Sequence, residues 1–424
     1  MLGSFSLPLL STLETSLVSS LPSSLSALAL SSSALLLVLR PFEASSSAVL
    51  SLISSSPSPE HSFLHSRFPS LSFLSGVALA LFVRLVSPFL LPFLLSTPSP
   101  PPSLILPASM HLSLRTLAFP LALFSFAVDG AFRGLGDPRT PLKAALLRLA
   151  TFALSAPLLL RASPTLSSAA LAAVLGEAAA ASFLALSLVR TRARLRSSLP
   201  PPAAHSPPTP TVPQIARASI AMVVTRLSLL SAWAVAARAS LSLSLSAGAV
   251  HQVALSIWLL AVFLSEGPAV GIQVVSSRAL PDTKGLYTKL LRLTLTIAGL
   301  VSLVSCSSLF LLTRGGFLAR FFQLEAVGMQ ALVDLLKRIV WHQPLVHTTL
   351  LLESVAVGFQ QFRLLLIGNL LSCAMSAVLI KRATSVPQIW TVGINALFAG
   401  RLLTALLAIL LSRSKSRRAG GKEQ

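Results

Sequence analysis

Acidic residues are scarce in this chain: 12 Asp and Glu stand against 33 Lys and Arg in 424 residues. Charged residues of both signs make up only 11% of it. Soluble domains carry about 25%, so most of this chain cannot face water. Cysteine is nearly absent as well. Cys306 and Cys373 both fall inside apolar runs without metal-ligand spacing, which excludes a disulfide framework and leaves them as small buried hydrophobes. No phosphate loop, zinc spacing or Ser-His-Asp arrangement is present, so an enzyme is not expected. A basic domain standing apart from the apolar runs is also missing. The net charge of +21 therefore does not point to a nucleic-acid partner.

What fills the chain instead is hydrocarbon. It is 54% hydrophobic, with a mean hydropathy of +0.81. Long apolar runs recur, among them Val77 to Leu95, Ala169 to Val189, Ile257 to Val275 and Leu293 to Leu312. A membrane span needs roughly 20 mostly apolar residues. The pattern predicts an all-α polytopic membrane protein of about twelve transmembrane helices. The first six are placed near 1–20, 24–54 (with a break at Pro41), 70–97, 104–130, 141–161 and 166–189. The last six are placed near 215–240, 247–277, 288–313, 334–358, 362–381 and 388–412. Residues 1–110 are rich in Ser, Leu and Pro, and the short segment at 96–103 reads as a turn. The opening MLGSFSLPLLSTLE has neither a basic start nor a small-residue cleavage site, so it does not read as a signal peptide. It reads as the middle of a span, and the expectation is that the first span lacks its N-terminal half.

Between the sixth and seventh runs lies RTRARLRSSLPPPAAHSPPTPTVPQ, too polar and proline-rich to span. The expected organisation is a six-helix lobe at 1–190, a cytoplasmic linker at 191–214, a second six-helix lobe at 215–412 and a basic cytoplasmic tail at 413–424. Basic residues concentrate in alternate loops: Arg133, Arg139 and Lys143; Arg190 to Arg196; Arg278, Lys284, Lys289 and Arg292; and the tail. That bias predicts both termini in the cytoplasm.

Two segments repeat one spacing 224 positions apart. Pro120, Asp129, Gly134 and Arg139 are matched by Pro344, Glu353, Gly358 and Arg363, with intervals of nine, five and five residues in each copy. The two lobes are therefore expected to be related by internal duplication. Six spans per lobe insert both copies in the same orientation, an arrangement common among secondary transporters.

The residues around the first copy match a family. HLSLRTLAFPLALFSFAVDGAFRGLGDPRTPL resembles the signature of the MATE (multidrug and toxic compound extrusion) transporters, most closely their DinF-like branch, which includes plant citrate exporters. The resemblance rests on Arg115, Pro120, Gly130, Phe132, Arg133, Gly134, Asp137, Thr140, Pro141 and Leu142. It extends to His251, Gln252, Trp258, Glu266 and Gln273, to Gln343, Pro344, Glu353 and Gly358, and to Trp390, Gly393 and Arg401. LSTLETSLVSSL is similar to the family's first-span Val-Asp-Thr, with Glu14 and Thr15 in the last two places. The chain departs from the family in using Glu at 14, 266 and 353, and Ala156 stands where the family often has Asp.

A charge at mid-bilayer costs about 2.5–3.5 kcal/mol even on the lenient scale, so carboxyls inside spans demand a reason. Glu266, Glu353, Glu14 and Asp129 are the candidates for ion coupling or substrate binding. Each could be neutral when shielded and ionised when wetted. The bland alternative is a protonated carboxyl bonded to a neighbouring helix, and Asp129 has Arg133 one helical turn away as a simple partner. Gln252, Trp258, Gln273 and Gln343 are candidates for lining a cavity. Pro120, Gly130, Arg133, Gly134, Asp137, Thr140, Pro141, Pro344 and Gly358 read as structural, with Asp137 fixing a turn. His251 reads first as an interhelical hydrogen-bonding residue and second as a proton shuttle. Glu177, among alanines, reads as a helix-contact acid. What the resemblance implies is an antiporter, monomeric in the bilayer and without a metal site or cofactor beyond its coupling ion, H+ or Na+. It would export small organic solutes, either cationic and drug-like or citrate-like acids. Two other readings stand beside it: a lipid-linked oligosaccharide flippase, which needs a cationic cavity, and a membrane protein that no longer transports.

Overall fold

In the computed structural model the described residues are 10, 13–14, 17–18, 24–56, 58–65, 67–95, 102–199, 211–278, 286–314, 318 and 326–420. Most of the first expected span, Thr15, the greater part of the 96–103 turn and the proline-rich core of the linker lie outside them. Among the described residues the chain is helical almost throughout, without a strand.

The first part holds α1 (Ser24–Val38), α2 (Arg40–Ser54), α3 (Pro59–His65), α4 (Phe68–Leu95), α5 (Pro102–Thr116), α6 (Phe119–Leu135), α7 (Arg139–Ala162) and α8 (Leu166–Ser198). The second holds α9 (Val212–Leu243), α10 (Leu245–Arg278), α11 (Leu286–Leu312), α12 (Ala326–Val340), α13 (Gln343–Gly358), α14 (Phe362–Lys381) and α15 (Asn395–Gly420). A short turn at Val386–Gln388 and a π-helical segment at Ile389–Ile394 lead into α15.

Eight of these helices are long and apolar enough to cross a membrane, and α5 with α6 makes a ninth span bent by 47°. Three expected spans are not on that count, and each has a physical reason. The segment 1–20 is largely outside the described residues. The other two are broken by proline. Pro41, Pro120 and Pro344 each stand in the first turn of a helix, α2, α6 and α13 respectively. Proline is welcome there, because the first-turn N–H has no partner anyway, but it cannot continue the helix before it. α1, α2 and α12 are therefore halves of 15 residues and α13 a half of 16, each too short to span alone. Elsewhere helices outrun their apolar cores. α8 continues through Arg190, Arg192, Arg194 and Arg196 to Ser198, and α15 continues to Gly420. Arg and Ala are strong helix formers, and α8 stops only where Leu199 turns extended before Pro200.

The chain divides into two compact units, Leu2–Val223 and Val224–Gln424. In the first, α6 packs on α2, α4 and α8, and α7 packs on α8. In the second, α13 packs on α10, α11 and α15, and α14 packs on α15. These are the same pairings by position in each repeat, with the post-proline helix at the centre of both. Small residues let it sit close, as expected where lipid offers no hydrophobic drive between helices. A Cβ at Gly134 would stand 2.9 Å from the Leu50 carbonyl oxygen, and one at Gly358 would stand 2.8 Å from that of Gln273.

The repeat reaches the backbone. α6 ends in a Schellman turn: Asp137 N–H bonds Phe132 O at 2.9 Å and Gly136 N–H bonds Arg133 O at 3.0 Å, with Gly136 at φ 96°. α13 ends in the same turn, through Gln361 N–H to Ala356 O at 3.1 Å and Gln360 N–H to Val357 O at 2.9 Å. There the left-handed position is filled by Gln360, at φ 58°. Each of these residues lies 224 positions after its counterpart. A side chain in that conformation costs about 1–2 kcal/mol. Gln360→Gly is therefore expected to stabilise the protein by about 1 kcal/mol and Gly136→Ala to destabilise it by a similar amount. Thermal unfolding in detergent should show Tm moving in opposite directions for the two.

Candidate functional site

Charged side chains inside the spans are few, and their placement follows from the helix contacts above. In the first unit, α7 brings Arg148 and α8 brings Glu177 together. A Cβ at Gly176 would lie 2.9 Å from the Arg148 carbonyl oxygen, so glycine is what allows the two helices this near. Arg148 then donates from Nη2 to Glu177 Oε1 at 2.9 Å, with its Nε 2.8 Å from Oε2. Both residues are buried. Asp129 lies on α6 next to this pair, and the charges acting on it are those of Arg133, Arg148 and Glu177. Its Oδ1 is shut away from solvent and accepts no hydrogen bond from the described residues. The simple pairing with Arg133 is not formed: among the described ion pairs none includes Asp129.

Glu14, 4% exposed, faces α5. His111 Nε2 lies 3.1 Å from its Oε1 and Arg115 Nη1 lies 3.8 Å from the same oxygen.

In the second unit, Glu353 on α13 meets Arg401 on α15. Arg401 donates from Nε to Oε1 at 2.8 Å and from Nη2 to Oε2, a two-pronged pair with the guanidinium 5.2 Å from the Phe398 ring. Glu266 is half-buried on α10. The preceding residue, Ser265, shares a short hydrogen bond with His347 Nδ1 on α13.

The other sequence candidates fall in varied settings. Gln252 is exposed, whereas Gln273 is buried. Gln343 is fully buried, accepting from Ser305 Oγ at 3.1 Å and donating to Ile339 O at 3.2 Å. Trp258 is a core residue, its ring 4.8 Å from that of Trp233. Asp137 closes the turn before α7, accepting from the N–H of Arg139 at 3.0 Å, that of Thr140 at 3.2 Å and Thr140 Oγ1 at 2.6 Å. Pro141 is buried in the first turn of α7 and Pro344 is exposed. Gly130 packs directly on the Ser46 carbonyl. No cluster of three metal-ligating side chains occurs among the described residues.

Sequence reasoning passed over Arg148 and His347, and it weighed Glu177 only as a helix contact. The 224-residue repeat carried a usable signal. It sets Gly176 opposite Gly400 and Glu177 opposite Arg401, each glycine directly before its charged neighbour. The last span of each unit thus carries a buried charge at one site, of opposite sign. In the first unit Arg148 answers it from α7; in the second, Glu353 answers it from α13, and Ser372 occupies the place of Arg148.

No family model matches this chain, and no curated protein matches it significantly. Solved structures match over nearly the whole length. A MATE in its straight conformation is 16% identical over 99% of this chain and 94% of that one, with a TM-score of 0.78. An outward-facing multidrug resistance MATE family transporter of the MOP superfamily is 16% identical over 99% and 94%, with a TM-score of 0.76. A MOP superfamily transporter from Pyrococcus furiosus Vc1, described as having a binding pocket of reverse polarity, is 17% identical over 98% and 93%, with a TM-score of 0.75. What these likenesses define is an all-α, multi-pass membrane fold. More narrowly, it is the fold of the solved MATE transporters.

Removing one partner of a buried ion pair strands the other charge, at a cost of about 3–5 kcal/mol. Arg148→Met or Glu177→Leu alone is expected to lower Tm in detergent sharply, and the double substitution to recover most of the loss. Additive losses in the double variant would mean that the pair is not the source of the stabilisation.

Proposed function

We propose that this chain is an antiporter coupled to H+ or Na+, exporting small organic solutes or xenobiotics by alternating access between its two lobes. The observation that carries the reading is a carboxyl with an unpartnered, buried oxygen, Asp129, in a chain with the fold of solved transporters. A buried carboxyl with an oxygen left unbonded favours taking up a proton or a cation, and wetting of the site favours release. Binding that differs between two conformations shifts the balance between them, which is the requirement for coupling. Glu266, half-buried on α10 of the second unit, is a further candidate. Glu353 and Glu14 already have cationic or imidazole partners, so their part in coupling requires those contacts to open.

The solved transporter described as having a pocket of reverse polarity is described as suggesting a different function, so the fold alone does not choose among these substrates. Arg148 and Arg401 are each met by a carboxylate. This supports cationic or neutral solutes over citrate-like acids, and it weighs against the flippase reading, which needs unneutralised positive charge for a pyrophosphate. The protein acts as a monomer in the bilayer, with both termini in the cytoplasm, as the loop charges favour.

The test is efflux of a fluorescent organic cation from proteoliposomes after a pH jump. Wild-type protein is expected to respond to the gradient, while Asp129→Asn and Glu266→Gln lose the response at unchanged expression. Wild-type-like efflux by both variants would remove these carboxyls from the mechanism. No transport by the wild type in H+ or Na+ gradients would favour the non-transporting reading.

A further inference from the structure

His251 lies on α10 inside a cage of indoles and is 1% exposed. Trp390, equally buried, donates from Nε1 to His251 Nδ1 at 3.1 Å. The ring centroids of His251 and Trp390 are 5.7 Å apart, and those of His251 and Trp233 are 6.5 Å apart. Trp258, two helical turns along α10 from the histidine, closes the cluster against Trp233 and Trp390.

This geometry fixes the protonation state. An indole N–H can only donate. Nδ1 must therefore present its lone pair, so the ring is neutral with its proton on Nε2. That nitrogen is buried and has no hydrogen-bond partner among the described residues. No described ion pair includes the ring: on the elements around it Lys337 pairs with Asp334, Glu353 pairs with Arg401, and His347 shares its hydrogen bond with Ser265. The imidazole is thus a lone titratable group with one nitrogen committed and one uncommitted.

We propose that His251 is a proton-binding site and that its bond to Trp390 is a latch which protonation opens. A proton added at Nδ1 turns both ring nitrogens into donors, so Nδ1–H confronts the indole N–H and the bond cannot persist.

The latch closes on an element suited to moving. Trp390 lies in the π-helical segment Ile389–Ile394, a form that is rare and concentrates at functional sites. Its Gly393 carbonyl is taken by Ser376 Oγ of α14 at 2.8 Å. Neutral His251 ties this wide turn to α10, and protonated His251 releases it. Acid therefore favours the open conformer and base the closed one. Proton binding and latch opening stand independently of transport; a role in coupling rests on the antiporter reading above.

Tryptophan emission of the purified full-length protein tests this directly, since an imidazolium quenches a neighbouring indole. The titration is run in a Trp341→Phe background, which removes the exposed indole beside His342, from about pH 8 down to about pH 3.5, a window wide enough for a histidine shut away from water. The expected result is a reversible fall in emission on acidification. The fall should be lost in His251→Gln, whose amide oxygen still accepts from Trp390 but cannot gain a proton, and reduced in Trp390→Phe, which keeps only the more distant Trp233 beside the imidazole. A fall that survives unchanged in both variants, or an absent fall in the parent, overturns the proposal. If His251→Gln fails to fold, the Trp390→Phe titration decides alone. Proteoliposome efflux separates the two ideas: a chain that titrates but does not transport sinks the antiporter and keeps the latch. A chain that transports without the emission change does the reverse.

Discussion

A charge within a bilayer has no water to answer it, and the arrangement of this molecule follows from that constraint. Glu14, Glu177 and Glu353 are met by arginine or histidine from a neighbouring helix. Meeting them requires helices at short range. Short range requires glycine at the crossing, and glycine at Gly176 sits next to the acid it serves. Composition, packing and electrostatics are here one requirement expressed at three scales.

Much of the fold was legible because the bilayer imposes so coarse a pattern. Span-length apolar runs, the break at Pro41 and the turn built on Asp137 all follow from local rules about hydrocarbon thickness, missing N–H groups and orphan donors. Helix ends were less legible. The arginines after residue 190 are polar enough to end a span but are good helix formers, so α8 leaves the apolar stretch without ceasing to be a helix. The count of spans also differed, because a single apolar run divided by proline reads as one span in sequence and as two short helices in space.

The candidate site was less visible. Which acid is paired depends on residues 29 or 48 positions away, and apolar periodicity says nothing about such partners. Asp129 and Arg133 have favourable helical spacing yet form no ion pair among the described residues. The signal that could have reached further was the repeat itself. It matches the left-handed turn of Gly136 with Gln360, and the small residue Gly176 with Gly400. At the next position it breaks, setting Glu177 against Arg401. Backbone and close packing have been kept between the copies, and the electrostatic wiring has been rewritten.

That rewiring has a consequence for biosynthesis. Arg148 and Glu177 are both made before residue 200, and Glu353 and Arg401 both after it. Each half therefore neutralises its own arginine from its own chain. A ribosome that has delivered only the first half has already supplied the counter-charge its helices need, so that half can leave the insertion machinery and enter lipid without waiting for the second.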